Sequence, residues 1–144
     1  MAQITITTTD IFLDTAYAVA LSSRRDNLHQ QARKLAAEIR AKRIRVITTQ
    51  AVLTEIGNSF ASRVNRGKAV ILIAALINDE NVSILPFNEQ FFEEAFELYQ
   101  ERQDKSWGMT DCSSFVVMRQ LGIKEALTAD HHFQQAGFRI LLSP

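Results

Sequence analysis

Cysteine is nearly missing from this chain: Cys112 is the only one, so no internal disulfide can staple the fold and nothing points to an oxidising compartment. Proline is almost as scarce, with Pro86 and Pro144 alone, and the five glycines are scattered. No Pro/Gly/Ser-rich linker, repeat or low-complexity tract divides the 144 residues, and one domain spanning 1–144 is expected. No apolar run approaches the roughly 20 residues of a membrane span, and Met1 to Asp10 (MAQITITTTD) has neither the basic start nor the apolar stretch of an export signal. The expectation is a cytoplasmic protein with no membrane partner. Excess charge of either sign is also lacking, since 16 Lys and Arg balance 16 Asp and Glu. Whole-protein attraction to nucleic acid is therefore excluded, and any such binding must be local. Neither a GxGxxG nor a Walker glycine loop occurs, which argues against a nucleotide cofactor. Ser113 and Ser114 lack the glycine elbow of a serine hydrolase.

What is present is an alternation. Short apolar runs at Ile11–Leu13, Arg45–Thr48, Val82–Leu85, Ala126–Thr128 and Arg139–Leu142 are too short for helices and read as strands. Between them lie helical patterns. Leu28, Ala32, Leu35, Ala36 and Ile39 make an amphipathic stripe, and further helices are expected over Gln50–Arg63, Lys68–Ile77, Asn88–Gln103 and Thr110–Gln120. In the fourth of these, Phe91, Phe92, Ala95, Phe96, Leu98 and Tyr99 form one stripe and four glutamates the other. Thr110 is a plausible N-cap and Gly122 a plausible C′ residue of the last. Lys68–Ile77 is apolar nearly all round, more than one small domain can cover, so a second copy of the chain is the expected cover. Strands alternating with helices imply an α/β fold with a mostly parallel sheet covered on both faces, and in such sheets function gathers at the carboxyl edge.

Four acids fall at that edge: Asp14 in FLDT, Glu55 in TEIGN, Asp111 in GMTDCSSF and Asp130 in TADHHF. Singly, each has an ordinary role. Asp14 and Asp130 could cap helices, Asp111 could complement a helix dipole and Glu55 could be solvated. Together they are harder to dismiss, because clustered carboxylates repel and must either take up protons or bind a cation. A hard divalent ion such as Mg²⁺ or Mn²⁺ takes oxygen ligands of this kind, activates water and neutralises charge on a phosphoryl group.

The ordered set FLDT, TEIGN, DKSWGMTDCSSF, TADHHF resembles the PIN-domain nucleases, and within them the VapC-like toxins of bacterial toxin–antitoxin systems, over essentially Ile11 to Leu142. The resemblance implies a three-layer α/β/α sandwich around a five-stranded sheet, a dimer, and a Mg²⁺- or Mn²⁺-dependent ribonuclease with an RNA substrate and a cognate antitoxin. It makes Asp14, Glu55, Asp111 and Asp130 the metal and catalytic residues and places Thr15 and Thr110 at supporting hydroxyl positions. Asp104 is a fifth acid that either assists the site or starts a loop. The segment Met1–Asp10 departs from the family pattern: either it is a frayed lead-in, or its alternating Ile4 and Ile6 add to the sheet edge.

Other residues are open to more than one reading. His131 and His132 abut Asp130, but no third nitrogen or sulfur is spaced to complete a histidine metal site, so a structural or substrate-side role is expected. Cys112 has no histidine partner and reads as a small buried apolar residue. Most of the basic residues between Arg33 and Arg45 read as a solvated helix face, whereas Arg24, Arg25, Arg63 and Arg66 fall in connections and are the RNA-contact candidates. Three rivals remain: a metal-dependent phosphatase, which would show a DxD nucleophile where this chain has Asp14-Thr15-Ala16; a housekeeping PIN-type RNA-processing nuclease; and a non-catalytic PIN-like RNA- or partner-binding module, in which one of the four acids would be lost.

Overall fold

The computed structural model describes residues 6–144. Five strands, β1 (Asp10–Leu13), β2 (Arg45–Thr49), β3 (Val82–Leu85), β4 (Glu125–Leu127) and β5 (Arg139–Ile140), form one sheet in the order β3-β2-β1-β4-β5. Every pairing is parallel. The connections are α1 (Thr15–Ser22) and α2 (His29–Lys42) after β1, then α3 (Gln50–Ser59) and α4 (Arg66–Asn78) after β2. Helices α5 (Glu89–Glu101) and α6 (Met109–Leu121) follow β3, and α7 (His131–Gln135) follows β4. Ile11, Phe12 and Leu13 are buried, as befits a central strand covered on both faces.

The chain steps outward from β1 to β2 to β3, then crosses back to β4 on the other side of β1. Right-handed crossovers therefore put α1–α4 over one face and α5–α7 over the other. The strand order reverses between β1 and β4, so a crevice opens beyond their carboxyl ends. Asp14 follows β1 directly and Asp130 stands three residues beyond β4.

Local chemistry fixes the elements that frame this crevice. Thr49 caps α3 by accepting the Val52 N–H at 3.2 Å, which sets Glu55 in the second turn. The Thr48 hydroxyl ties β2 to the end of β1 by donating to the Leu13 carbonyl at 2.8 Å. Phe115 of α6 meets Trp107 and Phe133 edge-on, each at 4.9 Å between ring centroids, and the Trp107 indole donates to Gln135 Oε1 at 3.0 Å. These contacts lock α6 against α7, and with them the segments that bear Asp111 and Asp130. Buried Ser113 and Ser114 return their hydroxyls to the Thr110 carbonyl at 2.8 and 3.0 Å. The helix stops at Gly122, whose φ of 67° is left-handed.

Several boundaries differ from the sequence reading. Helix α6 begins at Met109 with Gly108 as its N-cap, so Thr110 lies inside the helix and does not cap it. The expected Gln50–Arg63 helix ends at Ser59, β4 starts one residue earlier than Ala126, and β5 stops at Ile140. The aromatic stripe of α5 splits: Ala95 and Leu98 are buried, whereas Phe92, Phe96 and Tyr99 are exposed and stack on one another.

Ile4 lies outside the described residues; Ile6 is buried but belongs to no strand, so it does not add to the sheet edge. The segment behind it is held by Glu125, whose Oε1 accepts the backbone N–H groups of Thr7 and Thr8 at 2.8 and 2.9 Å and the Thr8 hydroxyl at 2.8 Å. Its other oxygen pairs with Arg139. Burial pushes the Glu125 pKa up, but the bonds from Thr8, Thr7 and Arg139 outweigh it and leave the group below the ordinary glutamate value. An acid with a depressed folded pKa adds stability that is present at neutral pH and lost as pH falls through that value. Glu125→Ala is therefore expected to cost about 2–4 kcal/mol at pH 7, since it leaves the Thr7 and Thr8 N–H groups and the Thr8 hydroxyl without this acceptor. Urea denaturation should show that gap narrowing as the pH falls below the ordinary glutamate range.

Candidate active site

Asp14 is the centre of the site. It is 5% exposed, and its Oδ2 accepts the Thr128 hydroxyl at 2.8 Å. Burial pushes its pKa from 3.8 up to about 7. Hydrogen bonds from Thr128 and the Thr15 backbone pull the other way, and the charges of Glu55 and Asp111 raise it further. Burial also raises the Asp111 pKa, opposed by the Gly108 N–H, which donates to Asp111 Oδ2 at 3.0 Å; Asp130 raises it and His132 lowers it. The four acids expected from the sequence thus form one electrostatic unit: Glu55 and Asp111 act on Asp14, and Asp130 acts on Asp111.

The ordinary roles and the shared site coexist. Asp130 caps α7, accepting the His132 N–H on Oδ1 at 2.9 Å, and Asp111 closes the first turn of α6 on Gly108. Asp14 occupies the N-cap position of α1 but makes no side-chain capping bond, so the capping role does not hold for it.

Two residues outside the four acids shape the site: Thr128, to which the sequence reading gave no role, and His132, for which it expected a structural or substrate-side one. Thr128, closing β4, donates to Asp14 and accepts the Asp130 N–H at 3.0 Å, joining the first and fourth acids through one hydroxyl. The signal was a threonine at a strand end two residues before an acid. His132 Nδ1 lies 3.2 Å from Asp111 Oδ2 and 3.3 Å from Asp130 Oδ1. His131 points outward, 70% exposed, with Nδ1 3.7 Å from Asp130.

Asp104 does not join the cluster. It is exposed, and Arg102 grips its two oxygens at 2.9 and 3.1 Å, so the loop reading replaces the supporting one. Thr110 contributes its carbonyl to Ser113 and Ser114. Arg24, Arg25, Arg63 and Arg66 are exposed in or beside connections, with Arg66 donating to the Ala61 carbonyl at 2.9 Å. Cys112 is fully buried, and burial pushes its thiol up to about 11, which removes it as a nucleophile at neutral pH.

The donor set suits a hard divalent cation. It offers carboxylate oxygens without thiolates, around a buried acid that holds its proton up to about pH 7 unless a positive charge compensates it. Next in sequence to Asp14, the buried Thr15 hydroxyl has no hydrogen-bond partner among the described residues, an orphaned oxygen that a cation or its water could satisfy. Clustered carboxylates over a crevice at a topological switch point can orient water against a phosphodiester.

Similarity to known proteins bears on the family of the chain. A family model described as PIN domain matches residues 11–139. The chain is 30% identical over 128 residues to the 23S rRNA-specific endonuclease VapC20 of Mycobacterium tuberculosis, covering 89% of this chain and 95% of that one. The crystal structure of that relative, described as a sarcin–ricin loop cleaving toxin, matches with a TM-score of 0.79 over the same shares. FitAcB from Neisseria gonorrhoeae matches at TM-score 0.65 and 18% identity, covering 90% of this chain and 95% of that one. VapBC2 from Rickettsia felis, bound to a promoter DNA fragment, matches at 0.64 and 13%, covering 91% and 96%. These last two share the fold.

Proposed function

The chain belongs to the PIN-domain family, and on that premise we propose that it is a divalent-metal-dependent endoribonuclease, the toxin of a toxin–antitoxin pair. The observation that carries the reading is Asp14: a carboxylate 5% exposed, under the charge of Glu55 and Asp111 and beside a hydroxyl with no partner among the described residues, is a costly arrangement without a cation. Asp14, Asp111, Asp130 and Glu55 would hold Mg²⁺ or Mn²⁺. When bound, the ion supplies a lowered water pKa and neutralises charge on the scissile phosphate. The chain's own part is to fix the carboxylates. Thr128 orients Asp14 and anchors the Asp130 backbone, the Gly108 N–H orients Asp111, and the burial of Asp14 limits water around it.

Thirty per cent identity along nearly the whole length of a 23S rRNA-specific endonuclease makes ribosomal RNA the inferred substrate class. Purified protein should cleave 23S rRNA at one or a few positions in Mg²⁺ or Mn²⁺, mapped by primer extension, and EDTA should stop it. Undiminished cleavage in EDTA would sink the metal assignment, and no cleavage of any RNA in either ion would sink the nuclease reading.

A homodimer is the second part of the proposal. Only Ala69 of α4 is buried, while Val70, Ile71 and Ile77 are 62%, 74% and 60% exposed and the neighbouring Val64 is 90% exposed. A row of aliphatic side chains this open on one helix is more apolar surface than a solvated face carries, and a two-fold pairing of α4 would bury it. Wild-type protein is expected to sediment as a dimer at micromolar concentration and Ile71→Lys as a monomer with unchanged circular dichroism. A monomeric wild type would overturn the interface.

A further inference from the structure

We propose that His132 is a positioning residue for this site, its ring Nδ1–H holding the Asp111 and Asp130 carboxylates together at the spacing a divalent ion requires. The inference rests on the nuclease reading above and concerns a side chain outside the four acids. Asp111 rides on α6 and Asp130 on the segment after β4, so no continuous backbone element sets the distance between their oxygens. Their charges oppose each other. Among the described residues, His132 is the one group seen to contact both, with Nδ1 at 3.2 Å from Asp111 Oδ2 and 3.3 Å from Asp130 Oδ1. Its backbone N–H, bonded to the same Asp130 oxygen at 2.9 Å, fixes the start of the side chain that makes the bridge.

The chemistry assigns the ring's role. Ionised carboxylates only accept hydrogen bonds, so Nδ1 carries the hydrogen and donates it to Asp111 Oδ2, with Asp130 Oδ1 held beside the same nitrogen at 3.3 Å. A nitrogen that carries a hydrogen has no lone pair for a metal. Nδ1 therefore orients ligands and is not one, although Asp130, His131 and His132 each have a ligand-type atom within 4.8 Å of the others'. The side chain is 21% exposed, beside an outward-facing His131 at 70%, so of two adjacent imidazoles only one is set into the site.

The test uses the geometry of substitutes. The Asn side-chain nitrogen sits near the place of Nδ1, whereas the Gln nitrogen reaches nearer to Nε2 and Phe offers no donor. Mn²⁺ binding to the RNA-free protein is measured by calorimetry for wild type, His132→Asn, His132→Gln, His132→Phe and His131→Asn. Expected is a 10–100-fold loss of Mn²⁺ affinity in the Phe and Gln variants, the range for removing a partner that orients a metal ligand. The Asn variant is expected within about threefold of wild type, and His131→Asn unchanged. In cleavage assays the loss should appear in kcat at subsaturating Mn²⁺, with KM for RNA unmoved. Wild-type affinity in the Phe and Gln variants, or an equal fall in Asn, Gln and Phe, overturns the proposal. So does a ¹⁴N coupling in the Mn²⁺ electron spin-echo spectrum that vanishes with His132, which would make the ring a ligand. If Phe does not fold by circular dichroism, the Asn and Gln pair decides. A wild type that neither binds Mn²⁺ nor cleaves RNA overturns the nuclease reading instead, a distinct result.

Discussion

Asp14→Asn protein is expected to be catalytically dead and, without metal, more stable than its parent. The substitution keeps the size of the side chain and an oxygen to accept the Thr128 hydroxyl, and removes only the charge. Loss of an orienting partner already costs a metal site about 10–100-fold, so removing a charged ligand should cost at least a hundredfold in RNA cleavage. The stability effect has the opposite sign. An acid whose folded pKa is raised binds more protons in the folded state between its two pKa values, so metal-free stability falls as pH rises from about 4 towards the folded value of about 7. A shift of that size corresponds to at most about 4 kcal/mol, one pKa unit being ~1.4 kcal/mol. Asparagine has no such ionisation. In EDTA at pH 8 Asp14→Asn should therefore melt several degrees above wild type, with the gap closing near pH 4. Saturating Mg²⁺ should raise the wild type and leave the variant where it was. Wild-type cleavage rates in folded Asp14→Asn would end the assignment of this acid, and identical melting curves at both pH values would end the argument from burial.

What the sequence made legible follows from which forces act locally. Ile11–Leu13 ending in Asp14 and Ala126–Thr128 followed by Asp130 could be read directly, because apolar runs that stop abruptly at acids mark buried strands emerging at an edge. Parallel order then brings the acids together with no further information. Contacts made by side chains folding back on the backbone were harder to foresee. Thr110 looked like the cap of α6, but Asp111 reaches the Gly108 N–H and starts the helix one residue earlier than expected. Asp104 carries the same charge as the site acids, yet Arg102 two residues away satisfies it first. Periodicity shows that a helix has an apolar face but not how much of it finds a neighbour. That is why Phe92, Phe96 and Tyr99 could be placed on the α5 stripe but not seen to stand in solvent. The roles of Thr128 and His132 depend on groups brought close only by the fold, Thr128 to an acid 114 positions away and His132 to one 21 positions away.

Expression of the wild-type chain alone is expected to arrest growth, expression of Asp14→Asn to be harmless, and co-expression of a cognate antitoxin to restore growth by competing with the metal. The competition follows from the charge of the site. Four carboxylates short of compensating cations attract a guanidinium or ammonium group, and a bidentate Arg satisfies two carboxylate oxygens where an ion would. A partner segment also has an apolar place to lie. A groove of about 740 Å³ is lined by Leu13, Tyr17, Ile39, Leu72 and Leu76 among others, and Leu13 is the residue immediately before Asp14. Antitoxin affinity should accordingly fall as Mg²⁺ rises in the millimolar range, and Asp14→Asn should bind antitoxin more weakly because one carboxylate is gone. Calorimetry of toxin–antitoxin binding across a Mg²⁺ series measures both effects. Affinity independent of Mg²⁺ would place the antitoxin away from the acids, and harmless overexpression of wild type and variant alike would leave an RNA-processing nuclease in place of a toxin.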